Sequence, residues 1–169
     1  MQVRNIPLPE RINGHRKGVN GVYVPGKEMI GKILEAHTPA RRKYLEQKGE
    51  LERMHIARKL GRPVMLAGPT GSGKSLLAQE FAGGLNMPFV HVTLTEDTTD
   101  AKLRGYLSPL TFPMEVEGNL LNAEVMGFVP SPFSIAVMSE VPTVLFLDEL
   151  HKIRKGVTSI LHQIGKSVV

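Results

Sequence analysis

The sequence predicts an α/β fold built on a parallel β-sheet. Three short apolar runs support this prediction, Val64–Ala67, Phe89–Leu94 and Thr143–Leu147. The first of these runs is wholly apolar, which is typical of a strand that is buried on both faces. Because helical patterns follow these runs along the chain, the expected architecture is a parallel sheet covered by helices.

The composition is that of an ordinary globular domain. The 169 residues suffice for one domain, and contents of 41% hydrophobic and 22% charged residues are usual values. No apolar run approaches the roughly 20 residues that cross a bilayer, and no apolar stretch follows the N-terminus. The absence of cysteine excludes disulfides and thiolate metal sites, in agreement with a cytoplasmic location.

The net charge of +5 does not by itself indicate a nucleic-acid partner. Much of the excess lies between Arg4 and Lys59, where a solvated basic face explains it. With no tryptophan and 5% aromatic residues, the chain has little with which to build a base-stacking platform. Basic charge also suits a polyphosphate ligand. We therefore expect neither nucleic acid nor a membrane as a partner.

Composition divides the chain into three parts. Residues 1–26 are rich in glycine and proline and are predicted to form an irregular, partly mobile arm. Residues 27–61 form a helical N-terminal segment that resembles an insertion. Residues 62–169 contain the alternating strands and helices, and are predicted to form the core of the domain.

Helices are predicted on both sides of this division. The N-terminal segment should hold a short helix over 27–37 and a longer surface helix over 39–60, which Gly49 weakens by roughly 1 kcal/mol. The core should hold helices over Leu76–Leu85, Ser134–Ser139 and Val157–Ile164. Between Thr95 and Pro142 a helical start near Asp97 is expected, and glycine and proline break the pattern beyond it.

A phosphate-binding loop follows the first apolar run. It fits the pattern G-x-x-x-x-G-K-[ST], with the residues Gly68, Pro69, Thr70, Gly71, Ser72, Gly73, Lys74 and Ser75. A glycine loop between a strand and a helix lets backbone N–H groups turn toward phosphates, and the helix N-terminus adds positive potential. Lys74 places a cation on the β and γ phosphates, and Ser75 offers its hydroxyl to Mg²⁺.

Two adjacent carboxylates end the third apolar run. Asp148 is positioned to hold Mg²⁺, and Glu149 is the candidate base or orienting group for an attacking water. The metal would relieve the repulsion between these two charges. The sequence thus predicts a site for ATP and Mg²⁺, with Lys74 and Glu149 as the catalytic residues. Apart from His151, the histidines show no metal-ligand spacing and are interpreted as structural or surface residues: His15, His37, His55, His91 and His162.

These motifs resemble those of the AAA+ ATPases. The stretch Arg62–Ala78 is similar to their first strand, phosphate loop and helix, and the MoxR-like branch with its CbbQ/NirQ group and dynein-related AAA domains has the most similar pattern. Thr95–Thr99 before Leu103–Gly105 matches that branch, as does the segment Gly127–Ala136 before the carboxylate strand. Lys102 departs from it, standing where a small or acidic residue is usual.

The resemblance implies further site residues and an incomplete core. Tyr23 and Val24 lie in a segment similar to the one that contacts adenine in CbbQ-like members, and Leu76 directly follows the phosphate loop. The family's three-layer P-loop NTPase (AAA+) core needs further strands, a sensor residue, an arginine finger and a helical lid. We therefore expect a core that is incomplete at its C-terminus. In the family's sheet order, the strand that bridges Val64–Ala67 and Val144–Leu147 is among the missing parts.

The resemblance also implies what the protein does. Family members assemble into homo-oligomeric, typically hexameric rings and use ATP hydrolysis to remodel or activate protein clients, in the manner of a chaperone. They often act with a partner that carries a von Willebrand factor A domain. Binding of ATP is expected to persist in this chain, whereas efficient hydrolysis is not.

Three alternatives stay open at this stage. In a Clp-type protein unfoldase, Tyr106 would grip a threaded polypeptide, although packing of Tyr106 against Leu103 or Leu110 is favoured. In a superfamily 2 helicase, Asp148–His151 would form the D-E-x-H box, but the intervening residues do not match and His151 is expected to be exposed at a helix start. The third is a nucleotide-dependent interaction module without turnover.

Overall fold

The computed structural model describes residues 8–41, 44–116, 118–153 and 157. The strands are β1 (Arg11–Ile12), β2 (His15–Lys17), β3 (Tyr23–Pro25), β4 (Phe89–Thr93), β5 (Gly105–Val116), β6 (Asn119–Pro130) and β7 (Val144–Asp148). The helices are α1 (Lys27–Glu35), α2 (Glu50–Lys59), α3 (Lys74–Gly84), α4 (Asp100–Arg104) and α5 (Pro132–Met138). Single 3₁₀ turns occupy Val19–Gly21 and Leu150–Lys152.

The centre of the α/β core is the parallel pair β4–β7. Its register runs from Phe89 opposite Val144 to Thr93 opposite Asp148. This confirms the predicted fold class, because two of the three apolar runs pair in parallel and helices cover both faces of the pair.

Side chains alternate between the two faces of this pair. On one face, Val90 packs against Ile30 and Leu34 of α1, with α5 residues beside them. On the other face, Phe89 packs against Ala78 and Ala82 of α3. Phe89 and Val90 are therefore both apolar although they point to opposite faces, because each face has its own helical layer. Helix, sheet and helix form the three layers that the sequence predicts.

A second sheet has the order β1-β2-β3-β6-β5. Its largest part is the antiparallel hairpin β5–β6, in register from Gly105 opposite Pro130 to Val116 opposite Asn119. The prediction that residues beyond the helical start at Asp97 are broken by proline is wrong here. Pro109 and Pro113 are accommodated because β5 lies at the sheet edge, where a missing N–H on the outer side removes no ladder bond.

The described part of the N-terminal arm is also more regular than predicted. β1 and β2 pair across Asn13 and Gly14, which both have positive φ, +47° and +80°. Asn-Gly is the preferred two-residue hairpin turn, so the dipeptide itself was the signal for this hairpin. β3 then joins β6 in parallel at Gly127.

The N-terminal helices are predicted with unequal success. α1 ends at Glu35, close to the predicted end at residue 37. The longer helix over 39–60 is wrong in its first half, because α2 begins only after Gly49, whose φ of +69° lies outside the helical region. Glycine therefore marks the start of this helix rather than a weak point inside it. At the other end of the chain, the predicted helix over 157–164 lies outside the described residues except for Val157, which is buried.

The first apolar run does not form the strand that the sequence predicts. Residues 62–69 have no regular secondary structure, and Val64 and Met65 are 44% and 83% exposed. No strand of the described part lies beside this segment, so its backbone has no ladder to join. This agrees with the expectation that it lacks a bridge to β7. In the described part, no helix is long and apolar enough to cross a membrane.

Candidate functional site

The phosphate loop has the backbone shape that its glycines allow. Gly71 and Gly73 have φ of +80° and +81°, in the left-handed region that only glycine adopts without strain. At Gly68 the restriction is steric, because a Cβ there would lie 3.1 Å from the Ser72 hydroxyl oxygen. The loop between Gly68 and Gly73 is therefore compact and turns sharply into α3.

The loop leaves the N-terminus of α3 open toward a ligand. The first hydrogen bond of the helix runs from the Leu77 N–H to the Gly73 carbonyl, at 2.8 Å. Among the described residues, no acceptor binds the backbone N–H groups of Gly73, Lys74, Ser75 or Leu76. Such groups at the positive end of an 11-residue helix form an anion site.

Lys74 holds its charge directly over this loop. Its Nζ donates to the carbonyl oxygens of Gly68 at 3.0 Å and Pro69 at 2.8 Å. The ammonium is thus folded back across the loop, and it adds a full charge to the partial charges of the N–H groups. The predicted cluster of Gly68, Pro69, Gly73 and Lys74 is brought together in space.

Asp148 and Glu149 stand at the carboxyl end of β7. Asp148 Oδ1 accepts a hydrogen bond from the Glu149 N–H at 2.9 Å. Glu149 has φ of +59°, an uncommon value for a residue with a Cβ, and its Oε2 lies 3.2 Å from Lys152 Nζ. Both carboxylates are partly exposed. Backbone strain of this kind occurs most often at functional sites.

The lengths of α3 and β7 indicate that the phosphate loop lies toward the same end of the core as these carboxylates. α3 ends close to the start of β4, which runs parallel to β7. Eleven helical residues span about 16 Å and five strand residues about 17 Å, so α3 begins level with the end of β7. The Ser75 hydroxyl and the Asp148 carboxylate are hard oxygen donors of the kind that Mg²⁺ prefers, and their role as ligands stays a prediction. The donors and the glycine cradle fit a magnesium nucleotide.

His91 is a neighbour of this site that the sequence analysis misses. Its Nε2 lies 3.4 Å from Asp148 Oδ2, while Asp148 Oδ1 accepts the hydrogen bond from the Glu149 N–H. The signal is visible only once register is known, since His91 lies two residues before Thr93, which pairs with Asp148. In the described residues, no group of three His, Cys, Asp or Glu side chains has the arrangement of a metal site.

Tyr23 lies in a core rather than on an open surface. Its side chain has no exposed area and packs with Ile12, Phe112 and Val125. Its hydroxyl donates to the Pro9 carbonyl oxygen, and burial raises the pKa of Tyr23 above its usual value. A contact between adenine and the segment around Tyr23 and Val24 stays a prediction. Since the ring of Tyr23 is covered, the neighbouring main chain would have to make that contact.

The residues of the alternative functions are placed as follows. Tyr106 is 65% exposed at the start of β5, so the expected packing against Leu103 or Leu110 is wrong. Those two leucines instead belong to two different hydrophobic clusters. His151 is exposed on the 3₁₀ turn after Glu149, as expected, and its Nε2 lies 3.5 Å from Glu149 Oε2.

Comparison with known proteins gives one family and several relatives. The family described as AAA domain (dynein-related subfamily) matches residues 63–166. CbbQ of Hydrogenophilus thermoluteolus is 31% identical over 113 residues, covering 67% of this chain and 37% of that protein. The denitrification regulatory protein NirQ of Stutzerimonas stutzeri is 29% identical over 105 residues, covering 62% of this chain and 33% of that protein.

A third relative matches most of the chain. The ATP-binding subunit ClpX of the ATP-dependent Clp protease of Borrelia duttonii is 28% identical over 158 residues, covering 90% of this chain and 30% of that protein. The chain thus spans about a third of the length of the curated relatives that it matches.

Proposed function

Because the chain belongs to the AAA domain family, in its dynein-related subfamily and MoxR-like branch, we propose that it binds ATP with Mg²⁺ and hydrolyses it. The observation that carries this proposal is the phosphate loop. Its left-handed glycines, its open helix N-terminus and the ammonium of Lys74 converge on one point. The triphosphate is held there by residues 68–75 and by Leu76 at the first turn of α3, and Tyr23 and Val24 mark the segment for the adenine.

Each polar residue of the site has a distinct task in this proposal. Lys74 neutralises charge on the β and γ phosphates, and Ser75 and Asp148 hold the metal. Bound Mg²⁺ supplies charge neutralisation to the phosphates in the transition state. Glu149 orients the attacking water and accepts its proton, and its exposed carboxylate at the end of β7 suits that task.

ATP hydrolysis is coupled to the remodelling or activation of other proteins. We assign a homo-oligomeric ring, a hexamer by family resemblance, whose protein client is remodelled or activated. A von Willebrand factor A domain partner is part of the same proposal. The name of the relative NirQ as a regulatory protein supports this direction. A Clp-type unfoldase is supported by the exposure of Tyr106 and by the similarity to ClpX.

One observation favours a second candidate, a nucleotide-dependent interaction module without turnover. Val64, Met65 and Ala67 lead into the phosphate loop and are exposed, and their segment pairs with no strand in the described part. A loop that is not anchored by a strand can bind phosphate through its own N–H groups. It does not hold the nucleotide rigidly against Glu149, as an in-line attack requires.

ATP binding and steady-state hydrolysis by the purified chain test these proposals. Lys74→Ala should weaken ATP binding more than tenfold, because it removes the only side-chain charge on the loop. Glu149→Gln should retain binding and lose about 10²-fold or more in kcat. Binding without turnover in the wild-type chain would establish the interaction module. Equal ATP affinity in wild type and Lys74→Ala would refute the site itself.

A further inference from the structure

The segment between α1 and α2 runs against helix α3. At Gly83 a Cβ would lie 3.2 Å from the Arg41 Cα, the Arg41 N and the Pro39 carbonyl oxygen. These are backbone atoms, so the segment approaches the helix as closely as a glycine permits. The approach fixes the path of residues 39–41 along α3.

An ion pair fastens the same segment. Arg41 Nε lies 3.1 Å from Glu80 Oε1, and the Glu80 side chain is 8% exposed. The other oxygen, Oε2, is buried without a partner among the described residues. A buried carboxylate is costly unless it is paired, so Glu80 holds Arg41 against α3.

Tyr44 follows this anchor and lies beside the end of the phosphate loop. Its ring joins the hydrophobic cluster of Met54, Leu77 and Phe81. Its Cε2 atom lies 3.5 Å from the position that a Cβ on Gly73 would take. The ring therefore faces Gly73 across the space that a Cβ would fill, at the point where α3 begins.

We infer that Tyr44 is a positioning residue of the nucleotide site, which supports Gly73 and the first turn of α3 in the phosphate-binding conformation. The inference rests on the proposed function. Gly73 has φ of +81° and ψ of +17°, and glycine is the residue most free to leave such a conformation. The Tyr44 ring beside Gly73 restricts the backbone conformations that this glycine can adopt. Because the N–H groups then need less ordering when phosphate binds, the affinity for ATP rises.

Affinity measurements on matched variants test this role. Tyr44→Ala should raise the Kd for ATP about tenfold, whereas Tyr44→Phe, which keeps the ring, should stay within about twofold. Leu51→Ala is the control, since Leu51 packs in the same cluster as Tyr44. It should lower the Tm to a similar degree and leave Kd unchanged. Wild-type affinity in Tyr44→Ala, or an equal loss in Leu51→Ala, would overturn the inference.

A fluorescence reporter gives a second readout, which does not depend on the stability of the hydrophobic cluster. The chain contains no tryptophan, so Tyr44→Trp introduces a single one. Its emission should change when ATP is added, and the change should vanish in Tyr44→Trp combined with Lys74→Ala. Tyr106→Trp, at an exposed position on β5, should show no change. A silent Tyr44→Trp that still binds ATP contradicts contact between residue 44 and the loop.

The two proposals fail in distinguishable ways. Absence of ATP binding by the wild-type chain in calorimetry refutes the proposed function, and the role of Tyr44 with it. Normal binding by the wild type with unaltered affinity in Tyr44→Ala refutes only the role of Tyr44.

Discussion

Replacing Gly83 by alanine should disturb the packing of residues 39–41 on α3, and these residues precede Tyr44. A new Cβ would lie 3.2 Å from three backbone atoms of residues 39 and 41, closer than ordinary van der Waals contact. Backbone atoms cannot rotate away as a side chain does, so the segment would have to shift by a few tenths of an ångström. Gly84 gives the matched control, because a Cβ there meets nothing within 4 Å.

Both substitutions gain helix propensity, but only Gly83→Ala adds an atom to a packed site. Both lie in the last turn of α3, where alanine is favoured over glycine by up to about 1 kcal/mol. Overpacking at Gly83 costs about 1–3 kcal/mol, as for other insertions into packed sites. Gly84→Ala should therefore raise the Tm by up to about 4 °C. Gly83→Ala should leave the Tm unchanged or lower it.

Thermal and urea unfolding followed by circular dichroism measure this difference. The free energies of unfolding of the two variants should differ by about 1–3 kcal/mol, with Gly84→Ala the more stable. Equal stabilisation by both substitutions would refute the close packing of residues 39–41 on α3. It would also remove the anchor on which the placement of Tyr44 depends.

Two further predictions concern stability. Tyr23→Phe removes the hydroxyl that donates to the Pro9 carbonyl oxygen, so the free energy of unfolding should fall by about 1 kcal/mol; an unchanged value in chemical unfolding would contradict that bond. Hydrogen bonds from the backbone N–H groups of Lys48 and Gln47 lower the pKa of Glu50 below 4.5. Its stabilisation is thus present above about pH 4.5 and lost as the pH falls through the lowered pKa, so wild type should lose stability faster than Glu50→Gln in acid. Parallel unfolding curves for the two proteins from pH 6 to 3 would show that Glu50 contributes nothing.

The parts of the fold that sequence reasoning predicts well are those with strong local or periodic signals. β7 is a continuous apolar run up to Asp148, and β4 begins with two buried apolar residues, because helices cover both faces of the pair. α3 is bounded by the phosphate loop and by two glycines. Each of these patterns is typical of one type of secondary structure, so it can be predicted without tertiary information.

The errors have a common physical origin in pairing. Proline argues against a strand only where its missing N–H faces a neighbour, and whether β5 is an edge strand is not written in β5 itself. The apolar run Val64–Ala67 has the composition of a strand, but a strand exists only beside a partner. Tyr106 differs, because its strand is paired and its ring still lies mostly in solvent.

By itself, the sequence determined that this chain has a phosphate loop, two carboxylates at a strand end and a parallel α/β core, because these features follow from residue types at fixed spacing. Only the tertiary structure decided that His91 lies beside Asp148, that Tyr23 is buried and that Tyr44 packs in the cluster that contains Leu77 of α3. Such contacts join residues far apart in the chain. They depend on strand register and helix packing, which no local pattern specifies.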